Sequence, residues 1–83
     1  MKYKAEVLVQ LKEEVLDTQG KAVAGSLKRL GYDEPSVRVG KYILLELDSP
    51  DLPSAEKTVH SMCKDLLVNA IIEEYSVKLE ESR

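Results

Sequence analysis

The chain's one histidine and one cysteine, His60 and Cys63, stand three residues apart. On a helix that spacing puts both on one face, where they could share a metal ion. Two ligands do not close a tetrahedral site, and no further His or Cys is present to complete it. A Cys–His nucleophilic pair fails for the same scarcity, because nothing is left to orient the base. The plainer expectation is Cys63 in the core and His60 near the surface. Gly20-Lys21-Ala22-Val23-Ala24-Gly25 has the look of a phosphate loop, but it lacks the Gly-Lys-Ser/Thr ending and falls inside a predicted helix. Gly20 at the helix start would still offer bare N–H groups to an anion. Close packing against a neighbouring chain is the better reason for two glycines in one helix, each of which costs about 1 kcal/mol relative to Ala. Arg38 and Lys41 flank Gly40 and suit a phosphate, a carboxylate or an acidic partner surface; a solvated strand edge is the alternative. Glu13-Glu14 and Glu73-Glu74 are sequence neighbours, which diverge along a strand and make poor acid–base pairs. The chain is therefore expected to hold no catalytic residue, no metal and no cofactor.

Composition narrows the class further. Eighty-three residues make one domain, 1–83, with a modest core that association would usefully extend. With no Trp, no Phe and four Tyr, that core must be aliphatic. Net charge is −3 and the basic residues are scattered, which argues against nucleic acid as a partner. No apolar run approaches the roughly 20 residues of a membrane span. A lone cysteine forms no internal disulfide, and Met1-Lys2-Tyr3-Lys4 leads straight into an alternating pattern with no targeting leader, so a reducing cytoplasm is the expected location.

These residues must be positioned by regular elements. Tyr3, Ala5, Val7, Val9 and Leu11 alternate with polar neighbours, the period of a half-buried strand. Asp17 suits an N-cap, with Gln19 and Gly20 in the first turn. Val23, Leu27 and Leu30 share one face of a helix over 18–30, and Gly31 suits its left-handed terminator. Val37 and Val39 begin a second strand, with Gly40-Lys41 a tight turn or a glycine bulge before a third strand over 42–47. A second helix opens at Pro53 or Ser54 with the stripe Ala55, Val59, Met62, Cys63 and Leu66, and Asn69 ends it in a left-handed conformation. The last strand is expected over 70–79, bulged near Glu73-Glu74, with residues 80–83 frayed.

The resulting order, β-α-β-β-α-β, is the α+β ferredoxin-like one: an antiparallel sheet with two helices on one face. Its other face carries Leu8, Tyr42 and Leu44 among charged residues, with Ile72 joining them. A solvated face would not carry this much apolar surface, so a symmetric homodimer, or a tetramer built from it, is expected to cover it.

Taken together, several segments resemble one family over essentially the whole chain. They are Val9-Gln10-Leu11-Lys12, Val15-Leu16-Asp17-Thr18-Gln19-Gly20-Lys21-Ala22-Val23, Leu27, Leu30-Gly31-Tyr32, Val37-Arg38-Val39-Gly40-Lys41, and Cys63-Lys64-Asp65-Leu66-Leu67-Val68-Asn69 leading to Glu73-Glu74-Tyr75. The chain resembles PurS, the small subunit of phosphoribosylformylglycinamidine (FGAM) synthase. Thr18 and Ala70 stand where that family commonly has Pro; Asp17 keeps the cap at the first, and the turn after Asn69 is less rigid at the second. The resemblance implies a non-catalytic dimeric subunit that joins an ATP- and Mg-using synthetase subunit, PurL, to a glutaminase subunit, PurQ. That complex converts formylglycinamide ribonucleotide (FGAR), ATP and glutamine to FGAM, ADP, phosphate and glutamate. Leu16, Asp17, Gln19, Gly20, Arg38, Gly40 and Lys41 are then the candidates for partner contact. Asp17, Gly20 and Gly40 read equally well as cap and turn, whereas Gln19 and Arg38 have no evident local duty. The rival reading is a small ferredoxin-like regulatory domain that binds an amino acid or nucleotide at a dimer interface, with Val15–Gly20 as its loop.

Overall fold

The computed structural model describes residues 1–82. Its elements are β1 (Lys2–Leu11), α1 (Thr18–Arg29), β2 (Lys41–Asp48), α2 (Leu52–Met62), a π-turn (Cys63–Leu67) and β3 (Glu73–Ser82). The strands form an antiparallel sheet in the order β2-β1-β3. The architecture is α+β with the ferredoxin-like order of elements.

Register explains the core. Ala5 lies between Leu45 and Leu79, and Val7 between Ile43 and Val77. The odd-numbered residues of all three strands therefore share a face, and Tyr3, Ala5, Val7 and Val9 on the central strand are buried. α2 packs on β1 and β3. Its cap is Asp51, whose Oδ1 accepts from the Ser54 N–H at 2.8 Å, so the helix opens ahead of Pro53. Ala55, Val59 and Cys63 of its stripe are fully buried.

The stripe does not continue to Leu66, which is 84% exposed. At the π-turn the Val68 N–H reaches back five residues to the Cys63 carbonyl at 2.9 Å. The extra residue per turn rotates the following face, and Leu67 and Val68 meet the core in its place. Asn69 is not left-handed, since no non-glycine residue described has positive φ. It turns the chain by hydrogen bonds: its carbonyl accepts from Ile72 and Glu73, its Oδ1 from Ile71. That turn occupies 70–72, so β3 starts at Glu73 and runs on through Ser82, where it pairs with Lys2; residues 80–82 are not frayed, and Arg83 lies outside the described residues. No bulge interrupts β3 at Glu73-Glu74. Glu73 stays on the inner face opposite Leu11, its carboxylate accepting from the Asn69 N–H at 2.8 Å with Lys41 Nζ at 3.4 Å.

The two helices are engaged very differently. α1 makes no substantial contact with any strand or with α2. A twelve-residue helix is about 18 Å long and a ten-residue strand about 33 Å. Laid end to end they span the molecule's long dimension of 51 Å, while the thinnest is 14 Å. The Cα radius of gyration, 16.4 Å, exceeds the roughly 12 Å of a compact chain this long. Residues 16–40 thus form an arm that prolongs the sheet. Val23 and Leu30, two of the three residues of the predicted α1 stripe, are exposed rather than packed against their own sheet.

The arm's return segment, Val37–Val39, where a second strand is expected, pairs with nothing among the described residues and is not a strand. No residue from Asp33 to Val39 makes a backbone–backbone hydrogen bond among the described residues. Lys41 is already in the β1 ladder opposite Val9, which leaves Gly40 alone between the two stretches. One residue cannot reverse a strand, since the tightest hairpins use two.

Candidate functional site

The root of the arm gathers most of the residues singled out above. Asp17 is 5% exposed, and both its oxygens are taken: Oδ1 accepts from the Gly20 N–H at 2.7 Å, Oδ2 from the Val39 N–H at 2.7 Å. One side chain therefore caps α1 and ties down the segment that returns from it. Those bonds, Val39 first and Gly20 next, hold its pKa below the ordinary aspartate value against the opposing effect of burial; the nearby Arg38 adds to the lowering.

Arg38 answers from the other side. Its Nη1 donates to the Val15 carbonyl at 3.1 Å, and its Nη2 to those of Lys12 at 3.0 Å and Leu11 at 3.4 Å. These carbonyls lie at the end of β1 and in the turn that leads to α1, where that of Lys12 also accepts from the Val15 N–H. Arg38 thus has a local duty that sequence reasoning did not find, and nothing in its neighbours signals it; the signal is a turn 23–27 residues away. Adjacent residues 38 and 39 clamp the loop of 11–17 by opposite means, a cation on carbonyls and an N–H on a carboxylate.

Both neighbouring glycines are required by close approach within this chain. A Cβ at Gly20 would lie 2.4 Å from the Val37 carbonyl oxygen, and one at Gly40 would lie 2.5 Å from that of Val9. The expectation that a neighbouring chain explains Gly20 is corrected accordingly; Gly25 has only the Arg29 guanidinium within reach, at 3.8 Å. Gly31, with φ +103°, ends α1 as foreseen. The Tyr32 N–H bonds to Leu27 and the Gly31 N–H to Lys28, which satisfies two carbonyls at the helix end.

Beside this clamp lies an open groove of about 580 Å³ lined by Leu16, Gly20, Lys21, Ala24 and residues 34–38. Gln19 is exposed with no side-chain hydrogen bond among the described residues, and Leu16 is exposed on the rim. Asp17, Gly20, Arg38 and Gly40 build the scaffold, and Leu16 and Gln19 stay exposed beside it. Lys41 is drawn away to Glu73, so Arg38 and Lys41 do not converge on one anion.

The outer sheet face gathers the second set. Leu8 pairs with Tyr42, and Leu44 stands opposite Glu6 in the next position on that face. All three are exposed, and the Tyr42 hydroxyl donates to Glu6 Oε1 at 3.1 Å. Ile72 sits at the end of the 70–72 turn rather than on the strand.

The remaining chemistry dissolves. Cys63 is fully buried, and burial pushes its thiol pKa up, away from the reactive thiolate. His60 Nδ1 lies 2.7 Å from the Tyr75 hydroxyl. Among the described residues no group of three or more His, Cys, Asp or Glu could hold a metal, and no helix is long and apolar enough to cross a membrane. What the arrangement offers is a projecting surface tied down at its root by directional bonds.

Comparison with known proteins identifies the family. The family model described as PurS, phosphoribosylformylglycinamidine (FGAM) synthase, matches residues 4–81. A PurS subunit of the synthase from Bacillus subtilis is 44% identical over 80 residues, covering 95% of this chain and 94% of that one. Among solved structures, PurS from Methanocaldococcus jannaschii superposes with a TM-score of 0.87 at 32% identity, covering 98% of this chain and 99% of that one. A chain in the structure of PurLQS from Thermotoga maritima superposes with a TM-score of 0.89 at 31% identity, covering 96% and 99%. With a full-length family match, relatives above 40% identity and the same three-dimensional course, the chain belongs to the PurS family of FGAM synthase subunits.

Proposed function

We propose that this chain, acting as one domain in the cytoplasm, is the non-catalytic small subunit that joins the synthetase subunit, PurL, to the glutaminase subunit, PurQ, for conversion of FGAR to FGAM. ATP and Mg are used by the large subunit, and this chain takes no cofactor. The observation that carries the reading is its near-complete superposition on a chain of the PurLQS structure. The clamped arm supplies the physics: a projecting surface held rigid at its root can be recognised without an ordering penalty. Copies of the chain associate, as a dimer or a tetramer, with Leu8, Tyr42, Leu44 and Ile72 covered in the assembly. Leu16 and Gln19 touch a larger subunit, whereas Asp17, Gly20, Arg38, Gly40 and Lys41 hold the surface in shape.

Reconstitution from the three separate proteins tests this. Omitting this chain is expected to lower glutamine-dependent FGAM formation at least tenfold while leaving the ammonia-dependent rate unchanged. Gln19→Ala and Leu16→Ala should weaken the glutamine-dependent rate without altering the fold. An undiminished glutamine-dependent rate in the chain's absence would end the proposal.

A further inference from the structure

The body of the molecule holds a cavity whose residues the adaptor role leaves unused. α2 places Lys57, His60 and Ser61 on one side, and Lys64 follows three residues on, in the π-turn. Beyond that turn lie Val68 and Ala70, and β3 contributes the half-buried Tyr75. Together they line an open cavity of about 480 Å³, within the size range of small-molecule sites. Its apolar part is Val68, Ala70 and the Tyr75 ring, and its charged part is wholly cationic. Lys57 and Lys64 are about 10 Å apart along the helix axis, with Ser61 between them. No carboxylate lines the cavity, since Glu56 faces the neighbouring groove with Leu52 and Leu79. The one ion pair among the described residues joins Lys41 to Glu73, so no carboxylate neutralises either ammonium. The Tyr75 ring is held in place: His60 Nδ1 lies 2.7 Å from its hydroxyl, and the two rings tilt at 53° with centroids 5.5 Å apart. A planar ligand would meet an aromatic surface already set.

We propose that this cavity binds a nucleoside monophosphate. The base lies against Tyr75, Val68 and Ala70, and the phosphate sits between Lys57 and Lys64, where the Ser61 hydroxyl donates to it. An aromatic wall suits any base, because stacking reads the face of the ring rather than its edge. Ammonium groups suit a phosphate, which they meet as point charges without the fork geometry of a guanidinium. A bare phosphate would leave the apolar wall empty, and a neutral nucleoside would leave both lysines idle; the nucleotide uses both parts at once. The cavity shares no lining residue with the two grooves at the root of the arm. The ligand and the partner surface proposed above therefore address different residues, and the site gives this subunit a small-molecule ligand of its own.

Titration of the isotopically labelled full-length chain with adenosine monophosphate, followed by NMR at fixed ionic strength, tests the site. His60 is the chain's single histidine, so its ring protons report on the cavity without ambiguity. They, the Tyr75 ring and the Ala70 methyl should shift saturably, with a dissociation constant below about 1 mM. Inorganic phosphate and adenosine, titrated separately, should each bind at least tenfold more weakly. Lys57 and Lys64 are exposed, so replacing them leaves the core untouched. Lys57→Gln combined with Lys64→Gln should weaken the nucleotide at least tenfold, as should Tyr75→Leu, with circular dichroism confirming the fold. Lys21→Gln, which removes a cation from the arm, should change nothing. The absence of a saturable shift would overturn the proposal. So would phosphate or adenosine binding as tightly as the nucleotide, or Lys21→Gln weakening it as much as the paired lysine substitutions. None of these outcomes depends on PurL or PurQ, so the site stands or falls apart from the subunit's role in joining them.

Discussion

The body of the molecule and its arm are held by different physics. Around β1, α2 and β3 the chain is fixed by aliphatic burial: Ala5 and Val7 of the central strand and Val59 and Cys63 of the covering helix and π-turn are sealed from solvent. The arm has almost no such burial, with Gly20 and Ala24 its only buried positions within α1. It is fixed at its root by polar bonds, through Asp17, Arg38 and the end of α1. Apolar packing is proportional to area and tolerant of small shifts, whereas the clamp depends on a few directional bonds at 2.7–3.4 Å. A protein can therefore keep its fold while its projecting surface is tuned or lost, which suits a subunit whose work is recognition.

The sharpest way to separate the regions is to damage each in turn. Val59→Ala should lower the global unfolding free energy by about 2–3 kcal/mol, read as a shift of the urea midpoint at unchanged slope. If the midpoint does not move, the body is not held by burial. At the π-turn, Leu67→Ala should cost about 2 kcal/mol, whereas Leu66→Ala should be within about 0.5 kcal/mol of wild type. An uninterrupted α-helical stripe would rank the two the other way.

Two glycines on one helix sharpen the contrast within the arm. Gly20→Ala sets a Cβ 2.4 Å from the Val37 carbonyl and should destabilise by about 1–2 kcal/mol despite Ala's better helix propensity. Gly25→Ala meets only a mobile guanidinium and should stabilise by about 1 kcal/mol. Amide exchange at Val39 should accelerate in the first variant only, because the clamp opens there while the body stays closed.

These differences show where the sequence was readable. Period-two alternation placed β1 and β2, and Asp17 and Gly31 marked the ends of α1, because those signals are local. Leu66 and Leu67 could not be ranked, since a single π-turn reverses them and leaves no compositional trace. Glu73 suggested a bulge because a carboxylate on an inner face looks like a broken pattern; Lys41 and the Asn69 N–H satisfy it from segments distant or turned. Val37 and Val39 read as a short second strand, but the structure leaves them unpaired and no strand forms there, because Gly40 is one residue too few for a hairpin back onto β2. Among the partner-surface candidates, Asp17 caps α1 as its type suggests, whereas Gly20 and Gly40 answer close approaches of the Val37 and Val9 carbonyls that no local pattern announces. The duty of Arg38 is a long-range contact that no neighbouring residue announces.

The smallest effect concerns pH, and it too divides arm from body. Asp17 in the arm, and Asp51 and Glu73 in the body, are all held below their ordinary pKa, chiefly by backbone N–H donors. The folded state thus keeps these groups ionised where the unfolded chain has already bound protons. Their contribution is complete above the unfolded carboxylate values near 4 and is lost as pH falls through the lower folded values. Urea midpoints should accordingly be flat from pH 7 to about 5 and decline below about 4. Asp17→Asn keeps one acceptor but turns a second donor toward an N–H, so it should lower the midpoint at neutral pH and remove roughly a third of the acid-side decline. Val39 amide exchange should lose its acid sensitivity in that variant, while the Ser54 amide, capped by Asp51, keeps its own. A decline of undiminished steepness in Asp17→Asn, or a Val39 amide that still responds to acid, would show that the arm is not held by this carboxylate.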